Sequence, residues 1–229
     1  MKLLALDAST EFLSLAVRTD ENLYQHNQHA GQTASQLILP QIQLLLDAAK
    51  LELADLDGIA FGAGPGSFTG VRIACGVAQG LAFGANIPVV GINVLMALAQ
   101  ASGANRVIAA SDARMREVYH AAYQRNGEEW LEVHAAGVYK PNDVPAVEGS
   151  GWVGVGTGWK VYDEVLSQQY QQNVVKKMPE MTPMADAIMT LAIPLFESGL
   201  AKPASEAKPI YIRNRVALTS EERAQGQRL

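Results

Sequence analysis

The sequence predicts an α/β protein built on mixed sheets, and three observations carry that prediction. Three strand-like segments open the chain, and helix and strand then alternate. The same plan starts again near residue 106. With 229 residues and 48% hydrophobic content, the chain has material for one large core or two smaller ones.

Taken in order, "KLLALD", "FLSLAVRT" and "NLYQHNQ" read as strands, and the short turns between them predict an antiparallel meander. In "TASQLILPQIQLLLDAAK" (33–50), Leu37, Ile38, Ile42, Leu45, Leu46 and Ala49 recur at helical spacing, with Thr33 or Ser35 available as N-cap. Pro40 predicts a kink or a late helix start. "GIAFGAG" reads as a buried strand, 67–84 as a helix, "IPVVGI" as a strand and 93–101 as a helix. A boundary is expected in "SGANR" (102–106). The second half offers "RVIAASDAR", a strand ending in Asp, then "EVYHAAYQR" and "EWLEVHAAGVY" as hairpin-like strands. It continues with "WVGVGTG", a helix-like "KVYDEVLSQQ", an apolar helix "MADAIMTLAIPLF", a Pro-bounded terminal strand "PIYIRN" and a polar tail.

The formal charge of −5 supplies no electrostatic reason to hold nucleic acid or an anionic membrane. The single cysteine, Cys75, excludes an internal disulfide or a zinc-cysteine cluster. Met1-Lys2 leads straight into "LLALD" without a signal-peptide layout, so a cytoplasmic protein is expected. The most apolar stretch, 71–99, is interrupted by Gln79, Asn86, Pro88 and Asn93, which argues against a membrane span.

Between Gly58 and Ser111 there is no Asp or Glu, and Arg72 and Arg106 are the only basic residues. Helix 67–84 carries Val71, Ile73, Val77, Leu81 and Phe83, with Gly70, Ala74, Ala78 and Ala82 at every fourth position. A helix without a polar face needs cover on both sides, and a row of small residues lets another element approach closely. Its own sheet is one cover; a partner chain or helix 33–49 of the same chain is the other.

The loop "GPGSFTGVR" (64–72) leads into that helix. A Walker A loop needs Lys and Ser/Thr after the last Gly, but Val71-Arg72 follows Gly70. The dinucleotide pattern also fails, because Ser67 or Thr69 stands where its third Gly belongs. What remains is a strand, a tight turn and Ser67 as N-cap, with free backbone N–H groups able to hold some anion or merely to aim a buried helix.

"LALDAST" (4–10), "GPGSFTGVRIACGVAQGLA" (64–82), "PVVGINVLMALA" (88–99) and "SDARMREVY" (111–119) together resemble the TsaB family, also called YeaZ, over the whole chain. The resemblance implies the actin/sugar-kinase/Hsp70-like (ASKHA) fold of two ribonuclease-H-like domains, here 1–103 and 104–215, with a flexible tail at 216–229. It implies cytoplasmic work on N6-threonylcarbamoyladenosine, the modification of the adenosine next to the anticodon in tRNAs reading codons that begin with A. The family is the non-catalytic paralogue of the transferase TsaD. It pairs with TsaD, supports assembly with TsaE, forms homodimers when alone and meets tRNA only through the complex.

Several sequence features agree with a non-catalytic role. A catalytic paralogue holds metal with two histidines four apart on the first long helix, and 33–50 contains none. His26 and His29 are three apart in a strand-like segment, and His120 and His134 stand alone. Family members often carry His before the Ser/Thr of this helix, where this chain has Ala34-Ser35. The turns after Asp7 and Asp112 lack the glycine that lets phosphates approach, although "VGVGTG" leaves an adenosine-side turn open. Arg72 and Arg114 are candidates for pairing with acidic groups across an interface, although ordinary surface arginines are the commoner case. An ASKHA-type ATP-dependent kinase or transferase, the alternative reading, would need those phosphate glycines intact. A metalloprotease would need an H-E-x-x-H site, which is absent. No catalytic residue, cofactor or metal is therefore expected. The expected partner surface is Gly70, Val71, Ala74, Val77, Ala78 and Leu81 on helix 67–84, with Leu37 and Ile38 on helix 33–49.

Overall fold

The computed structural model describes residues 1–213. It contains two five-stranded sheets. In the first, β1 (Leu3–Asp7) pairs antiparallel with β2 (Phe12–Arg18), β2 with β3 (Leu23–His29), and β1 runs parallel to β4 (Gly58–Gly64), which is parallel to β5 (Val89–Asn93). The predicted meander is present. β1 is apolar at nearly every position because both its faces are covered: Leu4 and Leu6 point into one cluster, Leu3 and Ala5 into another.

The first cluster is roofed by α1 (Ala34–Ala49) and α2 (Phe68–Ala85), through Ile38, Ile42, Leu45, Ala74, Ala78 and Ala82. Pro40 does not delay α1, which runs unbroken from Ala34. The proline ring sits on the exposed side, so its missing hydrogen bond is the main cost. Thr33 occupies the N-cap position, but its hydroxyl donates back to Ala30 O (2.7 Å) instead of accepting from the helix.

The second sheet is built from β6 (Arg106–Asp112), β7 (Val118–Asn126), β8 (Glu129–Tyr139), β9 (Trp152–Val155) and β10 (Val174–Met178), in the order β10-β9-β6-β7-β8. Renumbered within its own half, this is the order of the first sheet. β10 has no counterpart in the sequence reading, because Lys176-Lys177 breaks the apolar alternation. Lysines belong on an exposed edge strand, where they discourage pairing with another chain. The expected helix 160–169 is split at Tyr162 into α4 (Gly158–Val161) and α5 (Asp163–Gln169).

Two helices join the halves. α3 (Val94–Ser102) leaves the first sheet and packs Leu95, Leu98 and Ala99 against Val107, Ala109, Tyr123 and Val155 of the second. α6 (Ala185–Glu197) returns from the second half and packs Ala185, Ile188, Met189 and Ala192 against Leu3, Ala5 and Ala60.

The terminal strand expected at 209–214 is corrected: residues 209–213 join no sheet. The segment makes one backbone bond to the first half, Ile210 N–H to Ala63 O (2.7 Å). Asn214 and the expected tail at 216–229 lie outside the described residues.

Candidate functional site

The glycine-rich loop is filled by the chain's own first hairpin. Ser67 N–H donates to Ser9 O (2.7 Å), a Cβ at Gly66 would lie 2.6 Å from that same oxygen, and a Cβ at Gly70 would overlap Ala8 O. These glycines therefore admit the turn that follows β1. Ser67 caps α2 as expected, its Oγ accepting from Gly70 N–H (3.4 Å).

The expected docking row on α2 is turned inward. Ala74 and Ala78 are buried in the cluster over the sheet, as is Ile38 of α1, while Gly70 is buried against the turn after β1 and Val71 is buried beside it. This corrects the assignment of those five residues to a surface: small side chains every fourth position bring the helix close to its own sheet, the same geometry that would serve a partner helix. Val77 and Leu81 on α2 and Leu37 on α1 remain half-buried at the edge of the core. Facing outward is a second small-residue row, Gly76, Gly80 and Gly84, and a Cβ added at any of them meets nothing within 4 Å. Ile73, Val77 and Leu81 flank it, and Phe83 is 77% exposed. Both rows were present in the sequence. A signal to separate them existed: glycines fill no volume, so a core-facing row favours the alanines.

Gln79 does not break the apolar helix. By length and mean hydropathy (1.2 over 18 residues) α2 is apolar enough to cross a membrane, although six of its residues are buried against the sheet. Arg72 and Arg114, read as interface candidates or ordinary surface arginines, are both engaged within the chain. The Arg72 guanidinium lies 3.2 Å over the Phe68 ring, and Arg114 pairs with Asp112 (3.3 Å) and Glu11 (4.0 Å).

A family model described as "TsaD: tRNA N6-adenosine threonylcarbamoyltransferase" matches residues 24–218. The chain is 39% identical to the tRNA threonylcarbamoyladenosine biosynthesis protein TsaB of Escherichia coli, with 95% of this chain and 96% of the relative aligned. It is 38% identical to the protein of the same name from Haemophilus influenzae, over 94% and 95% of the two chains. The chain belongs to the TsaB (YeaZ) family. A solved structure of YeaZ from Pseudomonas aeruginosa superposes with a TM-score of 0.86 at 40% identity, covering 92% of this chain and 99% of that one.

In this TsaB-family chain the two strand-end aspartates have opposite surroundings. Asp7 is fully buried; its Oδ1 accepts from Ser9 N–H (3.0 Å) and Ser9 Oγ (2.9 Å), while Oδ2 has no partner. A Cβ at Gly62 would overlap that oxygen. Burial outweighs the two Ser9 bonds and pushes the carboxyl up to about 7. Asp112 is partly exposed and pairs with Arg114, accepting from Arg114 N–H (2.9 Å) and Tyr162 Oη (3.2 Å).

The "VGVGTG" turn is also occupied from within. Gly156 (φ +101°) brings a Cβ position 2.6 Å from Ala110 O, a Cβ at Gly158 would lie 2.9 Å from Ala110 atoms, and Thr157 Oγ1 accepts from Asp112 N–H (3.1 Å). The histidines do not converge. His26 meets Gln28 (2.9 Å), His29 meets Glu11 (3.4 Å) and His134 meets Ala146 O (2.7 Å). His120 is buried beside Tyr170, whose hydroxyl donates to Pro145 O (2.6 Å) and so accepts from His120 Nε2 (2.8 Å). Burial holds this imidazole neutral, down to about 3. Among the described residues no three His, Cys, Asp or Glu side chains gather where one metal ion would sit.

Proposed function

We propose that this chain is a non-catalytic subunit of tRNA N6-threonylcarbamoyladenosine formation, at the adenosine next to the anticodon in tRNAs reading codons that begin with A. It pairs with TsaD, supports assembly with TsaE, self-associates when alone and meets tRNA only through the complex, in the cytoplasm. Residues 1–103 and 104–215 act as its two halves, with α3 and α6 packed across the division. The names of the relatives support the process. The observation that carries the assembly role is the outward stripe of α2: an apolar helix face whose glycine row leaves room for another helix backbone. The turns after Asp7 and Asp112 lack a phosphate-approach glycine, and the glycines beside them, Gly66, Gly70, Gly156 and Gly158, pack on the chain's own backbone at Ala8, Ser9 and Ala110, which favours assembly over an ATP-dependent kinase or transferase.

The test is the mass of the complex formed with purified TsaD, measured by light scattering, for the wild type and Gly80→Arg. A Cβ added at Gly80 meets nothing within 4 Å, so the arginine leaves the fold intact and blocks close approach. Loss of the heterodimer in Gly80→Arg supports the reading. A wild-type chain that ignores TsaD yet hydrolyses ATP alone restores the enzyme reading.

A further inference from the structure

The segment that fails to form the expected last strand does something else. From Pro209 to Arg213 it passes from the first half of the molecule to the second. On the first half, Ile210 N–H donates to Ala63 O (2.7 Å) at the end of β4, and the Ile210 carbonyl lies so near Gly64 (φ +109°) that a Cβ there would be 2.9 Å away. The Tyr211 ring lies 5.1 Å from the guanidinium of Arg72, on the first turns of α2. On the second half, Arg213 is nearly buried; it pairs with Glu117, donates to Ala113 O (2.9 Å), reaches the Met115 sulfur (3.6 Å) and lies 5.9 Å from the Tyr119 ring.

The target of Arg213 is the tip of the β6–β7 hairpin, where Arg114, Met115 and Arg116 all have positive φ (60°, 52° and 60°). Three consecutive non-glycine residues in the left-handed region are strained, and such a run persists only where its surroundings hold it. The same tip reaches the β1–β2 turn through Arg114 and Glu11.

We propose that Pro209–Arg213 is a strap that holds the two halves at one relative position and keeps the β6–β7 tip in its strained form, with the Arg213–Glu117 pair as its releasable clasp. Because that pair is largely withdrawn from solvent, removing Arg213 leaves Glu117 and the Ala113 carbonyl without their partner. The tip then relaxes and the halves gain freedom. This proposal stands independently of the docking role.

The test uses the full chain with Cys75→Ala, carrying spin labels at Asp47→Cys on α1 and Lys176→Cys on β10. Arg213→Ala is expected to broaden the inter-label distance distribution about twofold, as in hinge motion. It is also expected to speed amide exchange at Ile210, Ala113 and Glu117 roughly tenfold while the β1 and β9 amides keep their protection. The charge swap Arg213→Glu with Glu117→Arg restores the narrow distribution. Tyr211→Ala, which releases the other anchor, broadens it independently and carries the test should Arg213→Ala fail to fold. An unchanged distance distribution, or exchange accelerated equally throughout the chain, overturns the strap.

Discussion

The two halves of the molecule repeat one sheet order and place an aspartate at the end of the same strand, yet the two carboxyls are opposites. Asp7 is enclosed, with one oxygen unpartnered and its ionisation opposed by burial; Asp112, though only 14% exposed, pairs with an arginine and accepts from Tyr162. The same contrast holds for the helices. In the first half α2 is sealed on one side by the sheet and leaves a stripe of glycines and Phe83 outside. In the second, Trp159 of α4 is completely buried and donates its indole N–H to Ile108 O (3.0 Å). A shared topology therefore fixes where a residue sits along a strand, but the neighbours on each face decide what chemistry it has.

The largest expected effect breaks the first half outright. Ala74 is fully buried, so Ala74→Arg inserts an unpaired charge into the core and should cost on the order of 4 kcal/mol or more. Thermal denaturation followed by circular dichroism should show loss of the cooperative transition. This substitution reports on folding; Gly80→Arg reports on docking.

Next is the aspartate contrast. Asp7 titrates at an ordinary 3.8 when unfolded and at about 7 when folded, so between those values only the folded chain holds the proton. Stability is fully present below about 3.8 and is lost as pH rises through about 7, at roughly 1.4 kcal/mol per pH unit. Asp7→Asn should remove most of that slope and make the protein more stable than wild type at pH 8 in urea titrations. A wild-type profile that is flat between pH 4 and 7 would contradict the burial argument.

A smaller effect separates the two glycine environments on the loop and helix. Gly80→Ala, in open space on the helix, should raise the midpoint of thermal unfolding through about 0.5–1 kcal/mol of helix propensity. Gly70→Ala, which would strike the Ala8 carbonyl, should lower it. The smallest effect is Asp112→Asn, expected to change stability by less than about 1 kcal/mol, because its partner Arg114 is exposed and the amide oxygen can still accept from Arg114 N–H and Tyr162 Oη.

Much of the fold could be read from residue patterns. The meander, both long helices and the restart near 106 follow from period-2 and 3.6 spacing, since those periods arise from local backbone geometry. β10 was missed because its two lysines suit an edge strand and hide its alternation. The last strand was wrongly expected because an extended, apolar, Pro-bounded segment looks the same whether it joins a sheet or straps one half to the other. Of the surface expected on α2, Gly70, Val71, Ala74 and Ala78 lie on the buried side of the helix. α2 is apolar all round and carries two small-residue rows, so its hydrophobic pattern has no direction to report.

The order of the elements up to β9, the family motifs and the absence of a Walker or dinucleotide loop needed only the order of residues along the chain. Tertiary structure alone decided which face of α2 meets the sheet, which aspartate loses its solvent and where residues 209–213 lie. Those outcomes depend on which distant segments fill the space around a residue, and local spacing carries no record of them.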